Sequence, residues 1–511
     1  MSTLRWLPGL IRADAGQAMG TGHLMRCLAL AQGWQAQGGT VLLLSACAQE
    51  RLRRRVAEAG VPAEWWETAP AIGEDLQRIL QTLERMRSAQ SQCPWLVLDG
   101  ERFSEVFQGA AKAAGYRVLV IDDMGALARY EADVILNQNV FADAVAYECN
   151  SSTLVLRGPR YALLAPAFAA RRDEARQIPG MACRVLVTMG GSDPDNATAH
   201  VLEALRTLRV RDLEVVIAVG AYYAHGEMLQ AAARTAPFPV RVIRDATDMP
   251  RLMAWADIAL SAAGTTCWEL ACLGVPMVLL VIADNQRGNA EALAAREAAV
   301  HAGEAQQRSP DRLSAVLREL MADPDRRRDM SLHARQLVDG KGAARVLACV
   351  QGLSLSLRHV QPDDCRLLWE WANDPDVRAV SFSPEAIPWE RHLEWFERVM
   401  RNHHTRCFIA TTEGDIPVGQ VRYDCQGTAA TLSLSIDRRF RGQRFGQALV
   451  WRSAMEVFRE GGVEELHAYV RPGNAASTRI FLQTGFREMG ATVVRGHTAT
   501  HWRLIKDELG R

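Results

Sequence analysis

The sequence predicts an α/β chain made of two parallel-sheet units followed by one α+β unit. Three observations carry this. Short apolar runs alternate with helical patterns up to about residue 170, the alternation restarts at Arg184, and from Ser354 the order becomes helices followed by antiparallel strands. The length of 511 residues agrees, because roughly 150 residues per domain gives ~3 domains. The boundaries fall at 1–171, 172–353 and 354–511.

In the first unit, Thr40–Ala46, Trp95–Asp99, Val118–Asp123 and Asp133–Asn139 read as buried strands. They are near-continuous apolar runs, as expected of a parallel sheet covered on both faces. Leu24, Cys27, Leu28, Ala31 and Trp34 recur at helical spacing over His23–Gln37, and Gly38-Gly39 stops that helix. The polar segment Ala169–Gly180 reads as a hinge. The second unit carries strands at Arg184–Met189, Glu214–Gly220, Val240–Arg244, Asp257–Ser261 and Val275–Ile282, and helices across Asp311–Leu353 close it. Two tandem Rossmann-type units facing each other across a cleft are how a GT-B architecture reads in sequence. The third unit begins with Arg358–Asn373 and a helical stretch containing Trp389 and Trp395. Strands follow at Arg406–Thr412, Ile416–Tyr423 and Thr431–Asp437, then a glycine-containing loop.

Composition narrows the function. Fifty-nine basic and 59 acidic residues cancel, against the basic excess of a nucleic-acid binder. The only lysines are Lys112, Lys341 and Lys506, and none sits in a GxxxxGK[ST] loop, which excludes P-loop chemistry. The most apolar stretch, Val275–Ala283, has nine residues where a membrane span needs ~20. No secretion signal is visible, and eleven cysteines without a CxxC pair read as reduced thiols. The expectation is a cytoplasmic protein with neither nucleic-acid nor membrane partner. Cys267 and Cys272 read as small core residues, and no His/Asp cluster asks for a metal. Oligomeric state is not readable.

Three strand-to-helix loops attract chemistry. Gly20-Thr21-Gly22-His23 opens a helix, where glycines allow close approach and free N–H groups suit an anion. Met25 occupies the third glycine position, so this is no dinucleotide fingerprint. From spacing alone, His23 is either a proton acceptor or a helix-start residue. Ser261–Glu269 passes through Gly264 and Thr265 into another helix start. Glu269 there either accepts hydrogen bonds from ribose hydroxyls or complements the helix dipole. Gly190-Gly191-Ser192-Asp193 is the third loop, and Asp284-Asn285-Gln286 points into the same crevice.

These residues carry a resemblance. Arg12-Ala-Asp14, Gly20-Thr-Gly-His23-Leu-Met-Arg26, Ile121-Asp122-Asp123, Asn137-Gln138-Asn139, Gly190-Gly-Ser-Asp-Pro194 and Asp284-Asn-Gln286 resemble the PseG-type UDP-sugar hydrolases of pseudaminic acid biosynthesis, over about residues 8–350. The SAAGTTCWE segment also resembles the lipid II-forming UDP-GlcNAc transferases. The hydrolase resemblance implies release of UDP from UDP-2,4-diacetamido-2,4,6-trideoxy-β-L-altropyranose by water attack at the anomeric carbon. In it His23 is the base, and Asp14 supports the sugar or the histidine. Arg12, Gly20, Gly22, Gly190, Gly191, Ser192, Gly264 and Thr265 bind the UDP-sugar. Glu269 holds the ribose, while Asn285 and Gln286 face the sugar. A glycosyltransferase using the same cleft with an acceptor alcohol is the alternative.

Ser435-Ile-Asp437 through Arg441-Gly442-Gln-Arg444-Phe-Gly446, with Arg471-Pro-Gly-Asn474-Ala-Ala-Ser477 and Gly485-Phe486, resembles the GNAT acetyltransferases over roughly 357–506. The resemblance implies acetyl-CoA as co-substrate, held by Arg441, Gly442, Arg444, Gly446, Asn474 and Ser477. It also implies splayed strands that offer a backbone N–H to the thioester carbonyl. Two departures stand out. Arg444 replaces the middle glycine of the loop, so it either hinders the pyrophosphate or substitutes a guanidinium contact. Phe481 stands where the family commonly has a tyrosine acid, leaving Tyr469 or water for that role. Trp369–Arg378 and the Trp389, His392, Trp395-Phe396 run resemble the PseH subgroup, which acetylates the 4-amino group of the UDP-sugar one step before hydrolysis. The same tryptophans equally read as core. A fusion of consecutive enzymes acting on small UDP-amino-sugars follows, the alternative being a non-catalytic GNAT module that only binds sugar.

Overall fold

The computed structural model describes residues 6–17, 19–90, 92–305, 309–412, 415–442 and 444–508. The chain divides into two compact units, one through residue 343 and one from 344.

The first unit holds two all-parallel sheets. One contains β1 (Trp6–Ala13), β2 (Gly39–Ala46), β3 (Ala63–Trp66), β4 (Trp95–Asp99), β5 (Arg117–Ile121), β6 (Val134–Asn137) and β7 (Leu154–Arg157), in the order β3-β2-β1-β4-β5-β6-β7. The other contains β8 (Arg184–Thr188), β9 (Glu214–Val219), β10 (Val240–Arg244), β11 (Ile258–Ala262), β12 (Met277–Val281) and β13 (Val300–Glu304), in the order β10-β9-β8-β11-β12-β13. Strands β4, β11 and β12 are buried at every residue, which is why they are apolar throughout instead of alternating. Strand order reverses between β1 and β4 and again between β8 and β11. Loops leaving the strand ends at such points diverge and open a crevice. This is the GT-B pair of Rossmann-type domains that the alternation predicts.

The chain crosses between the halves earlier than the polar hinge. Leu164 and Phe168 are buried in the core of the second sheet, and a helix over Pro166–Arg172 replaces the start of the expected hinge. Helix Gly342–Leu353, expected to close the second α/β unit, lies almost wholly in the second compact unit. There a Cβ on Gly352 would stand 2.5 Å from the Trp451 ring.

The second unit carries one seven-stranded sheet, α+β as expected. It comprises β14 (Ser356–His359), β15 (Thr405–Thr411), β16 (Pro417–Gln426), β17 (Ala429–Ile436), β18 (Glu465–Val470), β19 (Arg487–Val494) and β20 (His497–Ile505), in the order β14-β15-β16-β17-β18-β20-β19. All pairs are antiparallel except β17–β18. That parallel pair is in register only over Ala429–Thr431 and Glu465–His467, so beyond it the two strands part.

The tryptophan run is largely packing. Trp371 and Phe396 join Leu368, Cys407 and Ile409 in the core, and the Trp371 indole donates to Asp437 Oδ2 at 3.0 Å. Trp369 and Trp389 meet edge-to-face, and Trp369 Nε1 donates to the Ile387 carbonyl. His392 is buried against the Cys365 carbonyl. All eleven cysteines are unbridged, Cys267 and Cys272 being fully buried. Among the described residues no helix is long and apolar enough to cross a membrane, and no group of three His, Cys, Asp or Glu is arranged to hold a metal.

Candidate functional site

A cleft opens where the two parallel sheets point their diverging loops at each other. Gly20, Gly22, His23, Gly190, Gly191, Gly264, Thr265, Glu269, Asn285 and Gln286 all line it. The glycines there answer to packing between the walls. A Cβ on Gly191 would stand 2.8 Å from Thr21 Oγ1 and 3.0 Å from its backbone nitrogen, and one on Gly220 would collide with the Gly191 backbone. Gly20 has φ +76 and closes a short turn by exchanging hydrogen bonds with Gly16, a conformation that favours glycine. The turn delivers His23 onto the first turn of helix Gly22–Ala36.

His23 is held by an acid that its spacing does not reveal. Its Nδ1 lies 2.6 Å from Oδ1 of fully buried Asp99, at the end of β4. Arg26, one helical turn on, clamps Asp99 with two bonds of 2.7 and 2.6 Å and Asp123 with two of 2.9 Å. Asp99 is thereby held below the usual carboxylate range by the Arg26 and His23 charges, against its burial. A carboxylate there fixes the hydrogen on His23 Nδ1 and leaves Nε2 to the cleft. The Asp99 charge in turn raises the His23 pKa above its ordinary value. The chain continues from Asp123 to Asn139 Nδ2 at 3.0 Å, then from Asn289 Nδ2 to Asn139 Oδ1 at 2.8 Å, crossing from the first half to the second.

Glu269 sits opposite. Burial pushes its carboxyl up to about 7, against the opposing pull of Arg55 from helix Glu50–Glu58. Gln286 uses Oε1 to accept the Ile282 N–H, and its Nε2 faces Gly264. Asn285 is exposed at the rim.

Three expected residues stand elsewhere. Arg12 is fully buried, donating to Asp75 at 2.9 Å from both Nε and Nη2 and pairing with Asp14, with its guanidinium against Trp66 and Phe103. Asp14 is also buried and accepts the Ala46 N–H. This pair braces the end of β1, and the carboxylate that supports His23 is Asp99, not Asp14. Ser192 is half-buried beside the cleft. Its neighbour Asp193 caps helix Ala197–Arg206 by accepting the Ala197 and Thr198 N–H groups. Sequence reading missed the roles of Asp99, Arg26, Asp123, Asn139 and Arg55. The available signal was acids at the ends of adjacent buried strands, Asp99 after β4 and Asp123 after β5.

In the second unit, Arg444 occupies the residue before helix Phe445–Glu460 with φ +61, the backbone shape of the glycine it replaces. Gly442 before it has φ +76 and is exposed. Burial, with the Arg479 charge adding to it, lowers the Arg444 pKa. The remaining residues of the expected set are engaged in structure. Arg441 is tied to Asp374 and Asp376 at 2.8 and 2.9 Å and donates to the Ile436 carbonyl. A Cβ on buried Gly446 would stand 2.6 Å from Ile480 Cδ1, so this glycine lets helix Ala475–Thr484 approach. Asn474 caps that helix by accepting the Ser477 N–H. Phe481 is buried against Phe486 and Trp502.

Comparison with known proteins matches both units. Residues 184–348 match the model of the glycosyltransferase family 28 C-terminal domain, and residues 354–487 that of the acetyltransferase (GNAT) domain. The chain therefore joins a segment similar to the family 28 C-terminal domain to a segment similar to the GNAT domain. The spore coat polysaccharide biosynthesis protein SpsG of Bacillus subtilis is 26% identical over 346 residues, covering 67% of this chain and 97% of SpsG. The UDP-N-acetylglucosamine–N-acetylmuramyl-(pentapeptide) pyrophosphoryl-undecaprenol N-acetylglucosamine transferase of Azotobacter vinelandii is 34% identical over 173 residues, 32% of this chain and 48% of that protein. Among solved structures, MurG of Acinetobacter baumannii aligns with a TM-score of 0.48 at 20% identity, over 68% of this chain and 99% of its own.

Proposed function

We propose that the chain is a bifunctional enzyme of amino-sugar nucleotide metabolism. The C-terminal unit transfers acetyl from acetyl-CoA to the 4-amino group of UDP-4-amino-4,6-dideoxy-N-acetyl-β-L-altrosamine. The N-terminal unit hydrolyses the resulting UDP-2,4-diacetamido-2,4,6-trideoxy-β-L-altropyranose to free sugar and UDP. The observation that carries the hydrolytic half is the His23–Asp99 pair with Nε2 turned to a cleft between two glycine-bearing walls.

Water placed at His23 Nε2 loses a proton to the imidazole as its oxygen bonds to the anomeric carbon. The anomeric C–O bond breaks, and the diphosphate takes the electron pair. N–H groups at the starts of helices Gly22–Ala36 and Thr266–Leu273 meet that developing charge. Glu269 accepts ribose hydroxyls, and Asn285 and Gln286 contact the sugar. On the C-terminal side, Arg444, Arg479 and the start of helix Phe445–Glu460 hold the coenzyme A pyrophosphate. The parting of β17 from β18 would offer strand N–H groups to the thioester carbonyl.

The family 28 match favours a second reading, in which the same cleft passes the sugar to an acceptor alcohol. Incubation with acetyl-CoA and the 4-amino UDP-sugar, following UDP and free thiol separately, decides between them. UDP released with no acceptor supports hydrolysis. Release only after an acceptor alcohol is added supports transfer. Sugar binding without thiol release would reduce the GNAT unit to a binding module.

A further inference from the structure

Strands β17, β18 and β20 of the second unit present one polar sheet face that the site described above leaves unused. Alternation in β18 buries Leu466, Ala468 and Val470 and turns Glu465, His467 and Tyr469 the other way. On β20, His501 and Arg503 share that outward side while Trp502 and Leu504 are buried. Cross-strand pairing then stacks three of these groups. His467 Nδ1 lies 2.9 Å from His501 Nε2, and the Tyr469 ring lies on His501 at 4.9 Å and 18°. Glu465 Oε2 is 3.6 Å from His467 Nε2. Three side chains form a line from Glu465 through His467 to His501, whose Nδ1 is the far end, with Tyr469 stacked on the His501 ring.

The line sits where acetyl transfer would occur. His467 pairs with Thr431 in the last registered step before β17 and β18 part. Both ends of this sheet face are walled. Trp395 lies over Arg422 on β16, while Arg471 donates to the Ser381 carbonyl and Phe382 meets His497 at the start of β20.

We infer that the His467–His501 pair is the proton acceptor for the amine substrate of the GNAT unit, with Tyr469 fixing the His501 ring; this rests on the acetyl-transfer reading above. The chemistry balances without another reactant. The amine nitrogen bonds to the thioester carbonyl carbon, its proton passes to imidazole, the C–S bond breaks, and coenzyme A leaves as thiolate, to be protonated by solvent. A base of this kind must be neutral before it acts. Burial, the facing imidazole and Arg503 lower the His501 pKa, and burial lowers that of His467 despite Glu465. The two imidazole nitrogens face each other at 2.9 Å as a hydrogen-bonded pair, and among the described residues no group of three His, Cys, Asp or Glu is arranged to hold a metal. Phe481, buried in the core, contributes no acid.

The test uses the full chain with acetyl-CoA and the 4-amino UDP-sugar, reading free thiol from pH 6 to 9.5. His501→Asn and His467→Gln are each expected to lower kcat about 100-fold at pH 7, with acetyl-CoA affinity by calorimetry and the melting temperature of the C-terminal unit retained. The deficit should shrink at high pH, where the amine deprotonates unaided. Unchanged kcat and pH profile in both variants, with an active wild type, would overturn the assignment while leaving acetyl transfer intact. A uniform loss at every pH, tracking a lowered melting temperature, would overturn it in favour of a packing role. A wild type that binds acetyl-CoA yet never releases thiol with the amine would remove the acetyl-transfer reading and the pair's role together.

Discussion

The molecule holds two histidine groups in opposite electrostatic settings. His23 stands against one fully buried carboxylate, and its pKa is raised. His467 and His501 stand against each other on a half-buried sheet face, and both are lowered. At His23 the Asp99 charge outweighs burial, whereas at His467 and His501 burial wins, over Glu465 in the first case and with the facing imidazole and Arg503 adding to it in the second. Asp99 also fixes which nitrogen of His23 carries hydrogen, whereas the paired imidazoles leave that choice to each other. A raised base suits a proton taken from water beside a departing diphosphate. A lowered one is neutral near pH 7 and so is ready to take the proton of the amine.

The sharpest way to break this comparison is to remove one site and watch the other. His23→Ala should lower UDP release on the order of 10³-fold while thiol release with acetyl-CoA persists; loss of both in a folded variant would sink the two-site account. Asp99→Asn should cost on the order of 10²-fold in UDP release. In the proposed hydrolysis the neutral imidazole is the active form, so activity should be lost as pH falls through the raised His23 pKa. The wild-type acid limb should therefore lie above the ordinary histidine value near 6.5, and Asp99→Asn should move it down. An unmoved limb would show that Asp99 is only a brace.

Glu269→Gln should weaken UDP binding about tenfold by calorimetry at pH 8, the scale of one charged hydrogen bond. Since Glu269 titrates at about 7, wild-type affinity should decline below that pH and the variant's should not. The smallest effect belongs to Arg444→Gly. Its backbone is already glycine-shaped and Arg479 keeps a cation nearby, so acetyl-CoA affinity should stay within about threefold. A severe loss would make Arg444 the main phosphate contact.

The architecture was legible because buried parallel strands are written as apolar runs. Val240–Arg244 and Trp95–Asp99 coincide with β10 and β4. The strands that escaped include β3, β7, β13, β14 and β19, which lie at sheet edges and carry little apolar signal, and β18 and β20, where buried residues alternate with part-exposed polar ones. In the site, loops opening helices were readable from glycine spacing alone. The partner of His23 was not, because Asp99 lies 76 residues away and only the sheet order brings β4 beside β1. Arg12 and Asp14 misled for a related reason. Alternation places both on one side of β1, and whether that side meets ligand or core is settled by Asp75, Trp66 and Phe103 from distant segments.

The amide pair between Asn139 and Asn289 gives the cleft a defined width. Asn289 spends its nitrogen on Asn139 and its oxygen on the Val140 N–H, and Asn139 spends its own nitrogen on Asp123. Drawing the two sheets apart there strands several buried polar groups at once, and each must find water before the movement becomes favourable. The resistance is stepwise, like a latch, where an apolar seam would yield gradually. Its release would be registered at Asp123, one guanidinium away from the acid that sets the charge of His23.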